Sequence, residues 1–505
     1  MVDPTLGLRV LPEAPEPMYR QLFDQIVERI VSSAFPDGFR LPPTRALASA
    51  LSTHRNTVVR AYAELEAAGF LVSTVGRGSF VRAPRAAVER PGSAPARAGL
   101  PWATLLSDAT RAEPLKRFRR MAQRAPSGDV IHLSKMQPPP ELLPHELFRR
   151  CMDHVLRASG PKALGYAPRE GMRRLRELVV ADLARLGVPA SVEDVLITTG
   201  SQQALDLVAR ALLGRGDVVI THASTYAGAL QVFAALGARI VGVPSDDEGP
   251  SVDALARLGA LRPKLLYLMP NHCNPTGVCI SAARRESILR WARGAQVPVV
   301  EDDYAADLVL EDGPAPPAMR ALDADVLHVG TFSKRLIPSL RIGYLLAPAP
   351  LRPHLLALKH TTDLGNAAFS QLALAEFLDR GYLRAHLNLI QPAYRARRDA
   401  LLHALAEHMP SDVKWQRPSR GVSLWLELPS GFDPEAVMDE AEARRVMIVP
   451  GTHQATDDAV RPGVRLNFCY EKEERLRAGA ERIAQAIEAA RQRAVRAPAQ
   501  SLELV

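Results

Sequence analysis

Between Met18 and Val31, the apolar residues Leu22, Phe23, Ile26, Val27 and Ile30 recur at helical spacing and predict one amphipathic helix. Pro36-Asp37-Gly38 breaks the pattern, and Leu41-Pro42-Pro43 leads into a short helix through Leu47 and Leu51. Ser52 or Thr53 is placed to cap a third helix with Val58, Tyr62 and Leu65 on its apolar face, ending at Gly69. Phe70-Leu71-Val72 and Phe80-Val81 then read as two short strands, joined by Val75-Gly76-Arg77-Gly78 as a hairpin with a basic tip.

The pattern changes after Ile131. Continuous apolar runs at Val195–Thr198, Val218–Thr221, Ile240–Val243, Leu265–Leu268, Val297–Val300, Val326–Val329 and Ile342–Leu346 predict strands. Helical runs such as Gln203–Leu213 and Arg284–Arg293 separate most of them. Strands without alternation between helices mean a buried, mostly parallel sheet, an α/β architecture. In such sheets ligand groups gather in loops beyond the carboxyl ends of the strands.

With 505 residues the chain needs two or more domains. It holds no run of about 18 apolar residues, and Asp3 and Pro4 stand where a secretion signal would be basic and then apolar, so a cytoplasmic location is expected and a membrane is not. Cys151, Cys273, Cys279 and Cys469 form no CxxC pair, so they read as reduced and structural, and no metal site is expected. The net charge of +8 is uneven: residues 1–82 hold nine Arg against eight acids, and residues 83–127 hold nine Arg plus Lys against three. Positions 40–82 alone hold six Arg and two Glu. A basic first part before a near-neutral body points to a polyanion, most simply nucleic acid.

Three helices and a hairpin within residues 18–82 make a winged helix-turn-helix. The start of its third helix offers His54, Arg55, Asn56, Thr57 and Arg60 to a major groove. The stretch LPPTRALASALSTHRNTVVRAYAELEAAGFLVSTVGRGSFV, residues 41–81, resembles the DNA-binding domain of GntR-type regulators. The resemblance implies contact with double-stranded DNA by Arg45, Arg55, Thr57 and Arg60, and by Arg77 and Gly78 of the wing. Pro43 departs from it, standing where the family commonly has a capping serine. Residues 83–101 are rich in Ala, Pro and Arg and read as a linker; Leu115 to Ala125 reads as a basic helix whose charged face is either solvated or touches DNA.

The chemistry centres on Thr331-Phe332-Ser333-Lys334. A lysine at a strand end in a water-poor pocket has a depressed pKa, so its amine can form a Schiff base with an aldehyde. Thr331 and Arg341 supply the hydroxyl and guanidinium expected around a phosphate. The phosphate-bearing aldehyde that enzymes use is pyridoxal 5'-phosphate (PLP). Thr199-Gly200-Ser201-Gln202 opens a helix whose N–H groups suit a phosphate, Tyr226 suits a flat ring, and Asn274 can donate to a phenolate. An acid in Glu301-Asp302-Asp303-Tyr304 can hold a pyridinium protonated, and Tyr304 can bond the ring hydroxyl.

In this order, TGSQQAL, STYAG, NPTG, EDDY and GTFSK…R resemble fold-type I PLP aminotransferases over roughly residues 128–490. The resemblance implies Lys334 as the catalytic, cofactor-bearing lysine, Asp302 (or Asp303, one position on) at the ring nitrogen, and Tyr304 and Asn274 at the ring oxygen. Tyr226 would stack on the ring, with Ser201, Gln202, Thr331 and Arg341 at the phosphate. Tyr166 would complete a neighbouring subunit's phosphate site, so a homodimer is expected, and Arg465 would clamp a substrate carboxylate. His222-Ala223-Ser224 departs from the acidic-Pro segment usual before the stacking tyrosine, and Asn274 is kept as in working aminotransferases. A GntR-type reader on this fold resembles the MocR subfamily. The expected organisation is a winged helix-turn-helix over 1–82, a basic linker over 83–127 and an aminotransferase-like body over 128–505, with a large PLP domain and a small α+β domain. The expected function is a PLP-dependent regulator that senses an amino acid or amine through an external aldimine and reads repeated half-sites as a dimer. The alternative is an active aminotransferase with DNA binding secondary.

Overall fold

The computed structural model describes residues 5–11, 16–31, 34–74, 78–82, 100, 102–124, 128–305, 307–313, 315–456 and 462–496. The chain forms two compact units, residues 1–104 and 105–505. The expected wing tip, Arg77 included, and the linker stretch 83–99 lie outside the described residues.

The first unit holds helices α1 (Met18–Val31), α2 (Thr44–Ala50) and α3 (Arg55–Ala67), then strands β1 (Leu71–Thr74) and β2 (Gly78–Val81). Helices α1 and α2 pack on α3, closing a core of Leu22, Ile26, Leu47, Val58, Leu65 and Leu71. Each such buried aliphatic side chain contributes about 1.5–3 kcal/mol of transfer free energy. Arg40 bridges to Phe80 and extends the β1–β2 hairpin by one edge. The expected cap of α3 is corrected: His54 is the N-cap residue, and no side chain caps the helix. Ser52 instead takes a left-handed φ of 49° in the turn, and Thr53 reaches Met18 Sδ at 3.7 Å. Pro43, the N-cap of α2, likewise supplies no side-chain cap, since proline carries neither hydroxyl nor carboxylate.

The second unit opens with helix α4 (Glu113–Ala122). Seven strands follow: β3 (Val195–Thr198), β4 (Val218–His222), β5 (Arg239–Val243), β6 (Leu265–Leu268), β7 (Val299–Asp302), β8 (Leu327–Thr331) and β9 (Gly343–Leu346). They lie in the order β3-β9-β8-β7-β6-β4-β5, with β9 antiparallel to both neighbours and the other pairings parallel. All seven expected apolar runs are strands. The fifth is displaced, running from Val299 to Asp302 rather than Val297 to Val300, because Glu301 stays in the ladder. That carboxylate is buried by specific donors: the N–H groups of Met319 and Arg320, and His328 Nδ1 at 2.9 Å.

Helices α5 (Ser201–Leu212) and α6 (Ala227–Ala235) follow β3 and β4. The smaller subdomain holds the long helix α7 (Tyr382–His408), strands β10 (Ser423–Glu427) and β11 (Gly463–Asn467), and helix α8 (Glu473–Arg496). The short strand Ile131–His132 pairs with Val446–Met447, so the start of the body joins its end. Among the described residues no helix is long and apolar enough to cross a membrane.

Candidate cofactor site and nucleic-acid interface

Strand register builds the site. Gly343 on β9 lies opposite Thr198 on one side and Thr331 on the other, so the loop entering α5 and the turn carrying Lys334 leave the sheet side by side. At that point the chain must come very close to itself. Gly200 has φ 81°, and a Cβ there would meet Arg341 Nη2 at 2.9 Å; a Cβ on Gly343 would meet the Gly200 backbone at 2.7 Å. Arg341 donates to the Thr199 carbonyl at 3.3 Å and to Ser333 Oγ at 3.5 Å, while Thr331 Oγ1 donates to Ser333 Oγ at 3.2 Å. Two hydroxyls and a guanidinium thus gather where α5 begins at Ser201, and N–H groups at a helix start suit an anion.

Lys334 lies in the turn after β8 and donates from Nζ to the Met136 carbonyl at 2.7 Å. Burial pulls its pKa down to about 8, so an unprotonated amine is accessible near neutrality. The next residue fixes the turn: Arg335, buried, bonds Asp182 at 2.8 Å and Asp307 at 2.6 Å.

Asp302 ends β7 and accepts from the Tyr267 hydroxyl at 2.8 Å. Burial raises its carboxyl to about 7, and its Oδ1 has no partner. The Tyr304 hydroxyl is buried without a partner as well. Asp303 also keeps an oxygen without a partner, Oδ1, but its backbone N–H bonds the Val329 carbonyl, and His328, Asn271 and Arg285 hold down a carboxyl that burial raises to about 6.

Asn274 follows in a turn with a cis Asn274–Pro275 peptide. Its Oδ1 accepts from Arg465 Nη1 at 2.8 Å and Gln454 Nε2 at 2.7 Å, which leaves Nδ2 as the end that can donate. Burial lowers the Arg465 guanidinium to about 10. Tyr226 donates to Gln202 Oε1 at 3.0 Å, and Gln202 Nε2 donates to the Gly228 carbonyl at 2.8 Å. The Gln202 side chain therefore fixes the Tyr226 ring, and only its backbone remains for an anion. His222, before that loop, is held neutral by burial, which lowers it to about 4, and accepts from the Met269 N–H.

Gln202, Tyr226, Arg341 and Arg465 share one cavity of about 500 Å³. Tyr166 is outside its wall and 95 % exposed. Sequence reasoning missed Tyr267, Ser333 and Gln454. Tyr267 hides inside an apolar run, Ser333 sits within the lysine motif itself, and Gln454 belongs to no motif at all.

In the first unit Arg45 and Arg55 are exposed and Thr57 is half-buried. Arg60 is engaged within its own unit, 3.3 Å from Glu64 and with its guanidinium 3.7 Å from the Tyr19 ring centroid. Gly78 opens β2 with φ 114°, and Arg40, exposed, lies against it, a cation the sequence reading did not single out.

Residues 129–483 match the class I and II aminotransferases, and residues 18–81 match the bacterial regulatory proteins of the gntR family. Aromatic-amino-acid aminotransferase 1 of Thermococcus litoralis is 36% identical over 73% of this chain and 91% of its own. An uncharacterized HTH-type transcriptional regulator of Bacillus subtilis, YisV, is 31% identical over 90% of this chain and 92% of its own. LysN, the α-aminoadipate aminotransferase of Thermus thermophilus, solved with N-(5'-phosphopyridoxyl)-L-leucine, superimposes with a TM-score of 0.72 at 31% identity, covering 78% of this chain and 100% of that one.

The cofactor of this body is PLP. The residues fit its chemistry: the Asp302 oxygen and Tyr304 hydroxyl left without partners, the Arg341 guanidinium beside Ser333 and the start of α5, and a lysine amine of lowered pKa. With a reader and an aminotransferase body on one chain, and a regulator aligned over 90% of it, the protein belongs to the MocR-type subfamily of GntR regulators.

Proposed function

We propose that the protein is a PLP-dependent transcriptional regulator whose aminotransferase-like body senses an amino acid or amine. The observation that carries this is the pairing, on one chain, of a gntR reader with a lysine site whose polar groups are intact. Bound there, PLP supplies an aldehyde that condenses with primary amines and a ring that withdraws electrons from them. Lys334 is the amine that holds the cofactor and yields to the effector. Asp302 holds negative charge for the ring nitrogen, Tyr304 and Asn274 donate to the ring oxygen, and Tyr226 covers the ring. Ser201, the Gln202 backbone, Thr331 and Arg341 hold the phosphate, and Arg465 takes the effector's carboxylate.

Arg45, Arg55, Thr57, Arg60, Arg77 and Gly78 contact operator DNA in the cytoplasm. A homodimer, with Tyr166 at the second copy's phosphate, reads repeated half-sites. Effector binding alters operator affinity only through unequal affinity for two arrangements of the protein, and a coupling of about 1–3 kcal/mol suffices. The domain limits that go with this reading are 1–82, 83–127 and 128–505.

Borohydride reduction of the PLP-loaded protein should fix the cofactor on Lys334, and an amino acid that shifts the visible spectrum should also shift operator affinity. Label on another lysine, or a spectral shift with indifferent DNA binding, rejects the proposal. The second reading, a working aminotransferase, is favoured by the Asn274–Arg465 hydrogen bond at 2.8 Å, which keeps the ring-oxygen donor and carboxylate anchor together. Rapid multiple turnover with a keto acid, without any effect on DNA, selects it.

A further inference from the structure

The cavity that holds Tyr226 and Arg465 is lined on one side by helix α4, through Pro114, Arg117, Phe118 and Met121. Among the described residues its wall contains three arginines, Arg117, Arg341 and Arg465, and no aspartate or glutamate. Arg341 is joined to the Thr199 carbonyl and Ser333, and Arg465 to Asn274. Arg117 is the guanidinium left over. His453, also in the wall, has its own carboxylate, Glu435, at 3.0 Å.

Arg117 is held in place without being neutralised. Its Nη1 donates to two main-chain carbonyls, Thr452 at 2.5 Å and Ala455 at 3.4 Å. Its nearest acid, Glu113 at 3.7 Å, is shared with Lys116 at 3.6 Å and Arg120 at 2.9 Å, one carboxylate among three cations. The Arg117 side chain is only 21% exposed, so its charge acts in a partly dehydrated setting. The far end of α4 is fastened by Arg124, 2.7 Å from Asp439 and 3.1 Å from Glu442. Beside Arg117 the wall is apolar, with Phe118, Met121 and Val449.

We propose that this cavity takes an α-amino acid whose side chain ends in a second carboxylate, and that Arg117 recognises that distal group. The inference rests on the reading of Lys334 and Arg465 given above, with the amine directed to the cofactor and the α-carboxylate to Arg465. The methylenes between the two carboxylates lie along the apolar wall, and Arg117, with Nη1 tied to main-chain carbonyls, offers its remaining N–H groups to a carboxylate at the far end. Helix α4 thereby becomes part of the ligand site. This helix is also the segment through which the chain enters the body from its reader.

The test titrates PLP-loaded full-length protein with matched pairs, L-glutamate against L-glutamine and L-2-aminoadipate against L-norleucine, following the visible spectrum. A charge-assisted pair is worth about 1.5–3 kcal/mol, so half-saturation should favour each acid over its neutral partner by roughly ten- to a hundredfold. Arg117→Gln should collapse that ratio toward one, and Arg117→Lys should restore part of it. Arg124→Gln, which loosens the helix without touching the cavity, should weaken acid and neutral ligands alike and keep the ratio. Equal half-saturation within the pairs, or an Arg117→Gln variant that keeps the preference, overturns the proposal. If no amino acid changes the spectrum of loaded protein, the sensing reading fails and takes this proposal with it. A neutral preference with normal spectral response rejects Arg117 alone.

Discussion

Tyr267 and Asp302 sit on neighbouring strands, and the tyrosine hydroxyl donates to the carboxylate at 2.8 Å with both side chains out of water. One oxygen of Asp302 is thereby stabilised as an acceptor while the other is left for a ligand. Burial pushes the carboxyl up to about 7, and the tyrosine is the largest influence pulling it back.

Tyr267→Phe should therefore raise the Asp302 pKa further, by about one to two units if the hydrogen bond is worth what one to a charged group usually is. A carboxyl raised from its ordinary 3.8 to about 7 contributes stability that is present below the lower value and lost as pH rises through the upper one. In the variant that loss should extend to higher pH, visible in thermal unfolding of cofactor-free protein across the neutral range. PLP affinity should fall, since less negative charge faces the ring nitrogen. An unchanged pH profile and unchanged affinity would show that the hydrogen bond does not tune Asp302.

On the reader, Arg55→Ala should cost about 1–3 kcal/mol of operator binding and relax specificity at one position, whereas Arg45→Ala, if it touches phosphate, should mainly lower the salt slope. Competition binding against operator variants at two salt concentrations separates the two. Arg60→Ala needs a melting curve beside it. That arginine also lies over the Tyr19 ring, a contact worth about 0.5–1 kcal/mol at an exposed site.

Helix α3 starts at His54 without a side-chain cap. His54→Ser should supply one and stabilise the helix by about 1 kcal/mol. Slower amide exchange in the first turn of α3, measured in the full-length protein, is the expected result; unchanged exchange would mean that the introduced hydroxyl does not reach the N–H groups.

Much of this architecture was legible because the sheet is buried on both faces, so its strands read as unbroken apolar runs. A strand that charge continues is hidden from an apolar pattern. Glu301 looked like the end of β7 because nothing in a linear pattern announces that Met319, Arg320 and His328 wait to bury it. The Lys334, Asn274 and Tyr304 motifs were legible because turn chemistry is local. Gln454 was not, since its importance lies in reaching Asn274, 180 residues away. Arg117 stood in plain view on a basic helix, but pattern alone does not say which of its cations turns inward against a cavity wall.

The exposure of Tyr166 carries a different consequence. A ring 95 % open to water completes no pocket in its own chain. If it finishes the phosphate site of a second copy, cofactor binding and self-association become one linked equilibrium, each strengthening the other by mass action. Scarce protein would then hold PLP loosely and abundant protein tightly, at the same vitamin supply. Expression level would itself become an input to the switch, alongside whatever amino acid it senses.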